Sequence, residues 1–230
     1  MVIIHINPHL PHQVEHGEIL SAGLAVHGVA SIVTHDPRAE GEIHIVSGPH
    51  YALEQWRAHP RTLWLDRCFY GDAHDIVSIG WLNPDGSRDF RNANKTEPKG
   101  ELPEVLPLRS KLRCCVVFGD YGRDPKPELK LARQKYDSVW FRPHPADTKL
   151  SPYLPLRGEL NTIWQIADAA IGHSSTVLVD AVIHGLYAES TDPRHVINGM
   201  TYRSEWLNRL SWCQWSLEEI RRGEFWEHLC

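Results

Sequence analysis

The chain of 230 residues has little of what marks a membrane, secreted or metal-framework protein. No apolar run approaches the roughly 18–20 residues that span a bilayer. The opening MVIIHINPHLPHQ carries neither a basic n-region nor a small-residue cleavage site, so a cytoplasmic protein without membrane insertion is expected. Five cysteines, Cys68, Cys114, Cys115, Cys213 and Cys230, are odd in number, include an adjacent pair that cannot easily bridge to itself, and show no metal-ligand spacing; reduced thiols are expected. There is no internal repeat or low-complexity tract. Charged residues at 23% and hydrophobic residues at 42% exclude a disordered or collagen-like chain, and the length allows one large domain or two small ones.

A formal charge of −5 argues against a general polyanion binder, but the charge is unevenly spread. Between Leu108 and Leu150, ten basic residues face five acidic ones, a net +5. That excess reads either as a solvated face or as a local field for the phosphates of a small ligand or a nucleic acid, with Lys126, Lys130 and Arg133 as the candidate nucleic-acid contacts.

Along the chain, VIIHI (Val2–Ile6), SIVTH (Ser31–His35), EIHIV (Glu42–Val46) and RTLWL (Arg61–Leu65) have the β-branched and aromatic content of strands. GEILSAGLAVHGV and YALEQWRAH between them have helical spacing, and the alternation predicts a parallel sheet with crossover helices. DIVSIGWLNPDGSRDF predicts a hairpin turning at Asn83-Pro84-Asp85-Gly86. The polar Arg91–Pro107 stretch is the best linker. The alternation then restarts: a strand in Leu112–Phe118, the loop GDYGRDPKP, the helix ELKLARQKY, the strand SVWF, the loop RPHPAD, a helix over Gly158–Ala169, a short strand ending in AIGHSS, the helix TVLVDAVIHG and a strand at LYAES. Two helices, Ser204–Leu210 and Ser216–Arg222, are expected in the Trp-rich C-terminus. The expected fold class is therefore α/β with two Rossmann-like halves: 1–107 on the acceptor side, 108–203 on the donor side, and a helical clasp over 204–230 closing on the first half.

Two motifs carry the chemistry. In FRPHP (Phe141–Pro145) each proline fixes its own φ and disfavours helix in the residue before it, so Arg142 and His144 sit in a stiff loop at a strand end. Such loops hold ligand contacts in α/β proteins, although a rigid turn with His144 capping a helix fits the same residues. In IADAAIGHSSTVLVDAVIHG (Ile166–Gly185) a strand delivers Gly172-His173-Ser174-Ser175 to a helix start, where unpaired N–H groups favour an anion. Asp180, about one and a half turns past Ser175, is placed to accept from a ribose diol. A plain serine cap with Asp180 as a surface charge is the simpler alternative.

The order Arg142, His144, Ser174, Ser175, Asp180, Ala181, Gly185 resembles the donor-binding half of GT-B glycosyltransferases, especially the capsule-polysaccharide and glycerophosphotransferase-like branch. It extends over roughly Leu112 to Pro193, with Asp180 standing where Glu is commoner. The resemblance implies that His144, Ser174 and Ser175 face a donor diphosphate and Asp180 the nucleotide ribose. Arg142 and His173 complete the donor set, with a UDP-sugar as co-substrate and no metal or further cofactor. LDRCFYGD, SIGWLNPDGSRDF and the C-terminal EWLNRLSWCQWSLEEIRRGEFWEHL are similar, more loosely, to compact bacteriophage glycosyltransferase-like proteins, some of which resemble enzymes that glycosylate hydroxymethylated pyrimidines such as 5-hydroxymethylcytosine in DNA. The implied partner is then phage DNA, with UDP-glucose as a natural donor. A glycan or capsule transferase, a glycerophosphotransferase, a nucleotide-sugar epimerase and a non-catalytic nucleotide-sugar or DNA binder are the alternatives.

The catalytic base is expected in the first half, at strand ends facing a cleft, with Asp66 first and Asp72 and His50 behind it. His5, His9, His12 and His16 form a cluster that reads as solvated or donor-loop histidines or, less well, as a metal site; Pro8 and Pro11 break any helical face, and no carboxylate or cysteine joins them at ligand spacing. GDYGRD (Gly119–Asp124) lacks a full GxGxxG and reads equally as a phosphate approach or a plain turn.

Overall fold

The computed structural model describes residues 1–48, 61–72, 74–83, 87, 89, 95–147, 153 and 155–229. The chain forms two compact units, one of Met1–Gly100 with Leu207–Cys230 and the other of Glu101–Trp206.

In the first unit, β1 (Val2–His5), β2 (Ser31–Thr34), β3 (Ile43–Ser47) and β4 (Thr62–Arg67) are mutually parallel, followed by β5 (Ile76–Trp81). β1 and β3 are buried at every position, as expected of parallel strands covered on both faces. The helix α1 (Pro11–Val26) joins β1 to β2. It begins at Pro11, whose missing N–H costs nothing in the first turn. Pro11 thus starts a helix instead of breaking one, and places His12 and His16 one turn apart, ring centroids 5.8 Å from each other. The other two members of the expected histidine cluster lie elsewhere: His9 is exposed, and His5 is buried in β1, its Nε2 3.0 Å from His44 Nδ1 on β3. Burial and His44 lower the pKa of His5, stacked on the His44 ring, to about 4.

β5 runs antiparallel to β4 and is flanked on its other side by β10 (Gln214–Ser216), also antiparallel. The sheet order is β10-β5-β4-β3-β1-β2, so β5 has strand partners on both sides, and the predicted hairpin is seen at its end, where Asn83 N donates to Ser87 O at 2.8 Å and Asp89 N to Trp81 O at 2.9 Å. The proposed turn Pro84-Asp85-Gly86 and the helix predicted at YALEQWRAH lie outside the described residues. The C-terminal segment completes this unit. Ser216 caps α6 (Leu217–Arg221) in a capping box, its Oγ accepting from Glu219 N while Glu219 Oε2 accepts from Ser216 N. A third helix, α7 (Glu224–Leu229), was missed in sequence; its fully buried Phe225 joins Trp81 and Trp215 in the core.

Part of the expected linker is not loose. Lys99 N donates to Ser211 Oγ at 2.8 Å, and its Nζ reaches Gln214 O and Glu219 Oε1, each at 2.8 Å. Trp212 Nε1 donates to Glu97 O at 2.9 Å, and the Lys95 ammonium lies 4.5 Å over the Trp212 ring.

In the second unit β6 (Cys114–Phe118), β7 (Ser138–Arg142), β8 (Ala169–Gly172) and β9 (Tyr187–Ser190) are all parallel, in the order β7-β6-β8-β9. The crossovers are α2 (Lys126–Lys135), α3 (Leu160–Ile166) and α4 (Val177–Ile183). α3 stops earlier than predicted: Ala167 leaves the helix with ψ 143°, because Ala169 must already pair in β8. The end of the expected linker docks here, Leu106 N donating to Ile183 O and Arg109 N to Gly185 O. Gly185 (φ 79°) sits where a Cβ would come within 2.3 Å of Pro107 O. Burial raises both adjacent thiols of β6, that of Cys115 to about 12. The helix α5 (Arg203–Ser211) carries the chain back into the first unit, and no described helix is long and apolar enough to cross a membrane.

The tightest approach in the first unit is α1 against α6, where a Cβ on Gly23 would stand 1.9 Å from the Ile220 carbonyl oxygen. Backbone cannot yield as a side-chain tip can. Gly23→Ala is therefore expected to destabilise the protein by about 1–3 kcal/mol or more, seen as a lower urea midpoint in equilibrium unfolding.

Candidate functional site

In the second unit, β6 leads through α2 to β7 on one side, whereas β8 leads through α4 to β9 on the other. The connections diverge between β6 and β8, and an open α/β sheet forms its ligand crevice at such a switch point, outside the carboxyl ends of the strands. The loops there contain most of the residues singled out in sequence: Gly119–Asp124 after β6, Pro143–Asp147 after β7, His173–Thr176 after β8 and Thr191–His195 after β9.

Across the switch point itself, Asp120 Oδ2 accepts from both Ser174 N (2.8 Å) and Ser174 Oγ (2.9 Å). The donors that the sequence offered to a diphosphate are thus held by a carboxylate of the GDYGRD loop. α4 begins only at Val177 with Thr176 at its cap, so Ser174 and Ser175 precede the helix instead of starting it. The Ser175 carbonyl accepts from His195 Nε2 at 3.2 Å, while His195 Nδ1 accepts from Ile197 N. Burial lowers the His195 pKa, which keeps this anchor neutral.

His144 is half-buried and 5.8 Å, edge to face, from the exposed Tyr121 ring. Its Nδ1 accepts from Ala146 N at 3.1 Å, so the proton of the neutral ring is on Nε2. The prolines thus present a donor. Arg142 ends β7, and its guanidinium donates to Gly158 O at 2.6 Å, bracing the segment before α3.

His173 belongs to a chain. Its Nδ1 is 2.9 Å from Thr191 Oγ1, whose hydroxyl donates to Glu128 Oε1; Arg123 donates to the same carboxylate oxygen at 2.6 Å. Burial pushes the Glu128 pKa up, but the bonds from Thr191 and Arg123 outweigh it and hold the carboxyl below its ordinary value. Asp192 is likewise pushed up by burial and brought below its ordinary value by Arg194, at 3.1 Å. Sequence reading gave no role to Asp120, Glu128, Thr191, Asp192 or His195. The loop GDYGRD was the only signal near them.

Asp180 lies in the first turn of α4 and is largely buried; burial raises its pKa to about 6, with His184 opposing. In the first unit, Asp66 is half-buried at the end of β4, its Oδ1 accepting from Arg67 N at 2.8 Å, and the exposed Asp72 accepts from His74 N at 2.9 Å in a local turn. His50 lies outside the described residues. On α2, Lys126, Lys130 and Arg133 are exposed at i, i+4, i+7 spacing. Much of the positive excess is met within the unit: Lys126 pairs with Asp124, Lys135 with Glu189, Arg123 with Glu128, and Arg109 caps carbonyls of Trp164 and Gln165. Among the described residues no group of three or more His, Cys, Asp or Glu gathers as metal ligands.

Two Rossmann-like α/β halves define a fold of the GT-B-like class. The chain is similar in structure to the Thermosulfurimonas dismutans protein KpsC, a beta Kdo 2,7 transferase, with a TM-score of 0.54 over 97% of this chain and 98% of that one, at 14% sequence identity. No protein-family model and no curated protein matches the sequence.

A carboxyl that prefers its proton in the fold stabilises the protein at low pH, and that stability is lost as pH rises through its folded value of about 6. Asp180→Asn removes the cost of burying the charge. The variant is expected to gain about 1–3 kcal/mol at pH 7.5 and nothing near pH 4, where Asp180 is already protonated. Thermal melts of both proteins at the two pH values check this.

Proposed function

We propose that the protein is a glycosyltransferase that moves a sugar from a nucleotide-diphosphate donor to a hydroxyl. The observation that carries the reading is His144: a proline-fixed imidazole, at the carboxyl edge of a parallel sheet, whose Nδ1 is occupied by Ala146 N and whose Nε2 therefore donates. A preformed donor of this kind stabilises negative charge as it develops on a leaving phosphate. The same general architecture serves a transferase in KpsC. In this reading the diphosphate displaces Asp120 from Ser174, Asp180 accepts from the ribose, and Asp66 is the first-half base, with Asp72 and His50 as reserves. UDP-sugars are the first donors to test.

Incubating the protein with a panel of nucleotide sugars and hydroxyl acceptors, followed by mass spectrometry, tests the activity; epimerised donor without transfer, or binding without turnover, would replace it. Given activity, His144→Ala is expected to lower kcat about 10²–10³-fold with the melting temperature unchanged. An unaltered kcat removes His144 from the site.

For the acceptor, the reading carried forward is the hydroxymethyl group of a modified pyrimidine in DNA. Its support is the exposed stripe Lys126, Lys130, Arg133 on α2. The grip is modest, because Asp124 already holds Lys126 at 3.0 Å. Neutralising all three is expected to flatten the log-log salt dependence of DNA modification by about 2–3 while leaving donor affinity as it was. If hydroxymethylated DNA stays unmodified with every donor while a glycan is extended, the acceptor is a glycan.

A further inference from the structure

The hydrogen bonds around His173 run in one direction only. Glu128 is 1% exposed and ionised, so its Oε1 accepts, and the Thr191 hydroxyl spends its single proton on that oxygen. Thr191 Oγ1 can then only accept from His173 at 2.9 Å, which puts the ring proton on Nδ1. Nε2 is left with a lone pair. The charge of Glu128 does not travel along this chain, because Arg123 neutralises it at 2.6 Å. Of the other titratable groups around it, Asp192 is held by Arg194 at 3.1 Å, Asp120 accepts from Ser174 N and Oγ, and His195 donates its proton to the Ser175 carbonyl. Thr191 therefore transmits orientation to His173. The ring is further fixed by the Ser190 hydroxyl, which donates to the His173 carbonyl.

We propose that His173 is the proton acceptor for the substrate hydroxyl, with Thr191 and the buried Glu128 as the residues that position it. The inference rests on the glycosyltransferase reading and moves the base from Asp66 in the first unit to the second. The hydroxyl proton passes to Nε2 and the hydroxyl oxygen's electron pair forms the bond to the anomeric carbon. The pair of the breaking carbon–oxygen bond leaves with the nucleotide diphosphate. A neutral Nε2 without a proton cannot donate to that diphosphate, so His173 and His144 have different tasks although both were assigned to donor binding.

The ¹⁵N shifts of the His173 ring in the full chain report the tautomer without any assay of activity. The expected result is a proton on Nδ1 in the wild type and in Thr191→Ser, and a tautomer mixture in Thr191→Val. A proton resident on Nε2 in the wild type would overturn the proposal while leaving the glycosyltransferase reading intact. In kinetics, His173→Ala is expected to lower kcat about 10²–10⁴-fold with donor affinity, measured by calorimetry, within about twofold of wild type. Thr191→Val should lose part of that rate and Thr191→Ser recover it, a distinction a merely structural threonine would not make. Weakened donor binding with kcat retained would make His173 a donor ligand and sink the base role. Absence of transfer by the wild type with every donor and acceptor would overturn the parent reading and take the base role with it, whatever the tautomer.

Discussion

Glu128 is a carboxylate with almost no access to water, and a charge so placed has to be answered by the protein or it will not stay ionised. Its answers come from two loops. Arg123 reaches it from the turn after β6, and Thr191 from the turn after β9. Through Thr191 it also reaches His173 after β8. One buried oxygen thus ties three of the four loops at the carboxyl edge of the second sheet to the first turn of α2. Removing the cation from such a charge typically costs about 3–5 kcal/mol, because the carboxylate is left buried and unpaired. The edge therefore carries a shared polar network across three loops, and in the fourth the prolines flanking His144 add covalent stiffness to the bonds that Ala146 N and Asp147 N make to His144.

The first unit solves a different problem. Its parallel strands end at β4, and a sheet edge there would present unpaired backbone groups. β5 and β10 cover it with two antiparallel strands, the second taken from the far end of the chain. The same C-terminal segment lays α6 on α1, at a distance only Gly23 permits, and pins Lys95–Lys99 through hydrogen bonds and the faces of Trp212 and Trp215. Trp-rich sequence here serves packing and cation–π contacts, with Trp81 Nε1 donating to Leu229 O so that a buried ring keeps its polar atom satisfied.

These two solutions differ in how well they could be read from the sequence. Strands such as VIIHI and CCVVF were legible because burial on both faces leaves near-continuous apolar runs, and the βα alternation gave the two Rossmann-like halves directly. Local signals carried part of the outcome, and long-range partners decided the rest. WLNPDG reads as a hairpin turn, and Asn83 and Trp81 do bond to Ser87 and Asp89 across it, but the strand partners of β5 are β4 and a strand more than a hundred residues later. Pro11 reads as a breaker until the helix it opens is seen. In the candidate site, FRPHP and GHSS stand out because proline, histidine and serine advertise themselves in short motifs. Glu128 and Thr191 do not, since a glutamate in ELKLARQK is indistinguishable from any helix-surface charge until the fold buries it. Asp120 was visible only as one letter of an incomplete glycine loop, and its grip on Ser174 depends on β6 and β8 being neighbours.

His144 and His173 look equivalent in sequence, each next to small or rigid residues at a strand end. What separates them is the group placed against Nδ1. At His144 that group is a backbone N–H, which cannot accept, so the ring accepts at Nδ1 and donates from Nε2. At His173 it is a hydroxyl whose proton is already committed to Glu128, so the ring donates at Nδ1 and accepts at Nε2. Transfer of a sugar from a phosphate asks for both: a donor where negative charge accumulates on the leaving oxygen, and an acceptor where the incoming hydroxyl sheds its proton. Lysine or arginine could supply the first but, while charged, never the second. In the proposed reaction two imidazoles of opposite tautomer supply the pair, beside carboxylates of Glu128 and Asp192 that Arg123 and Arg194 already match.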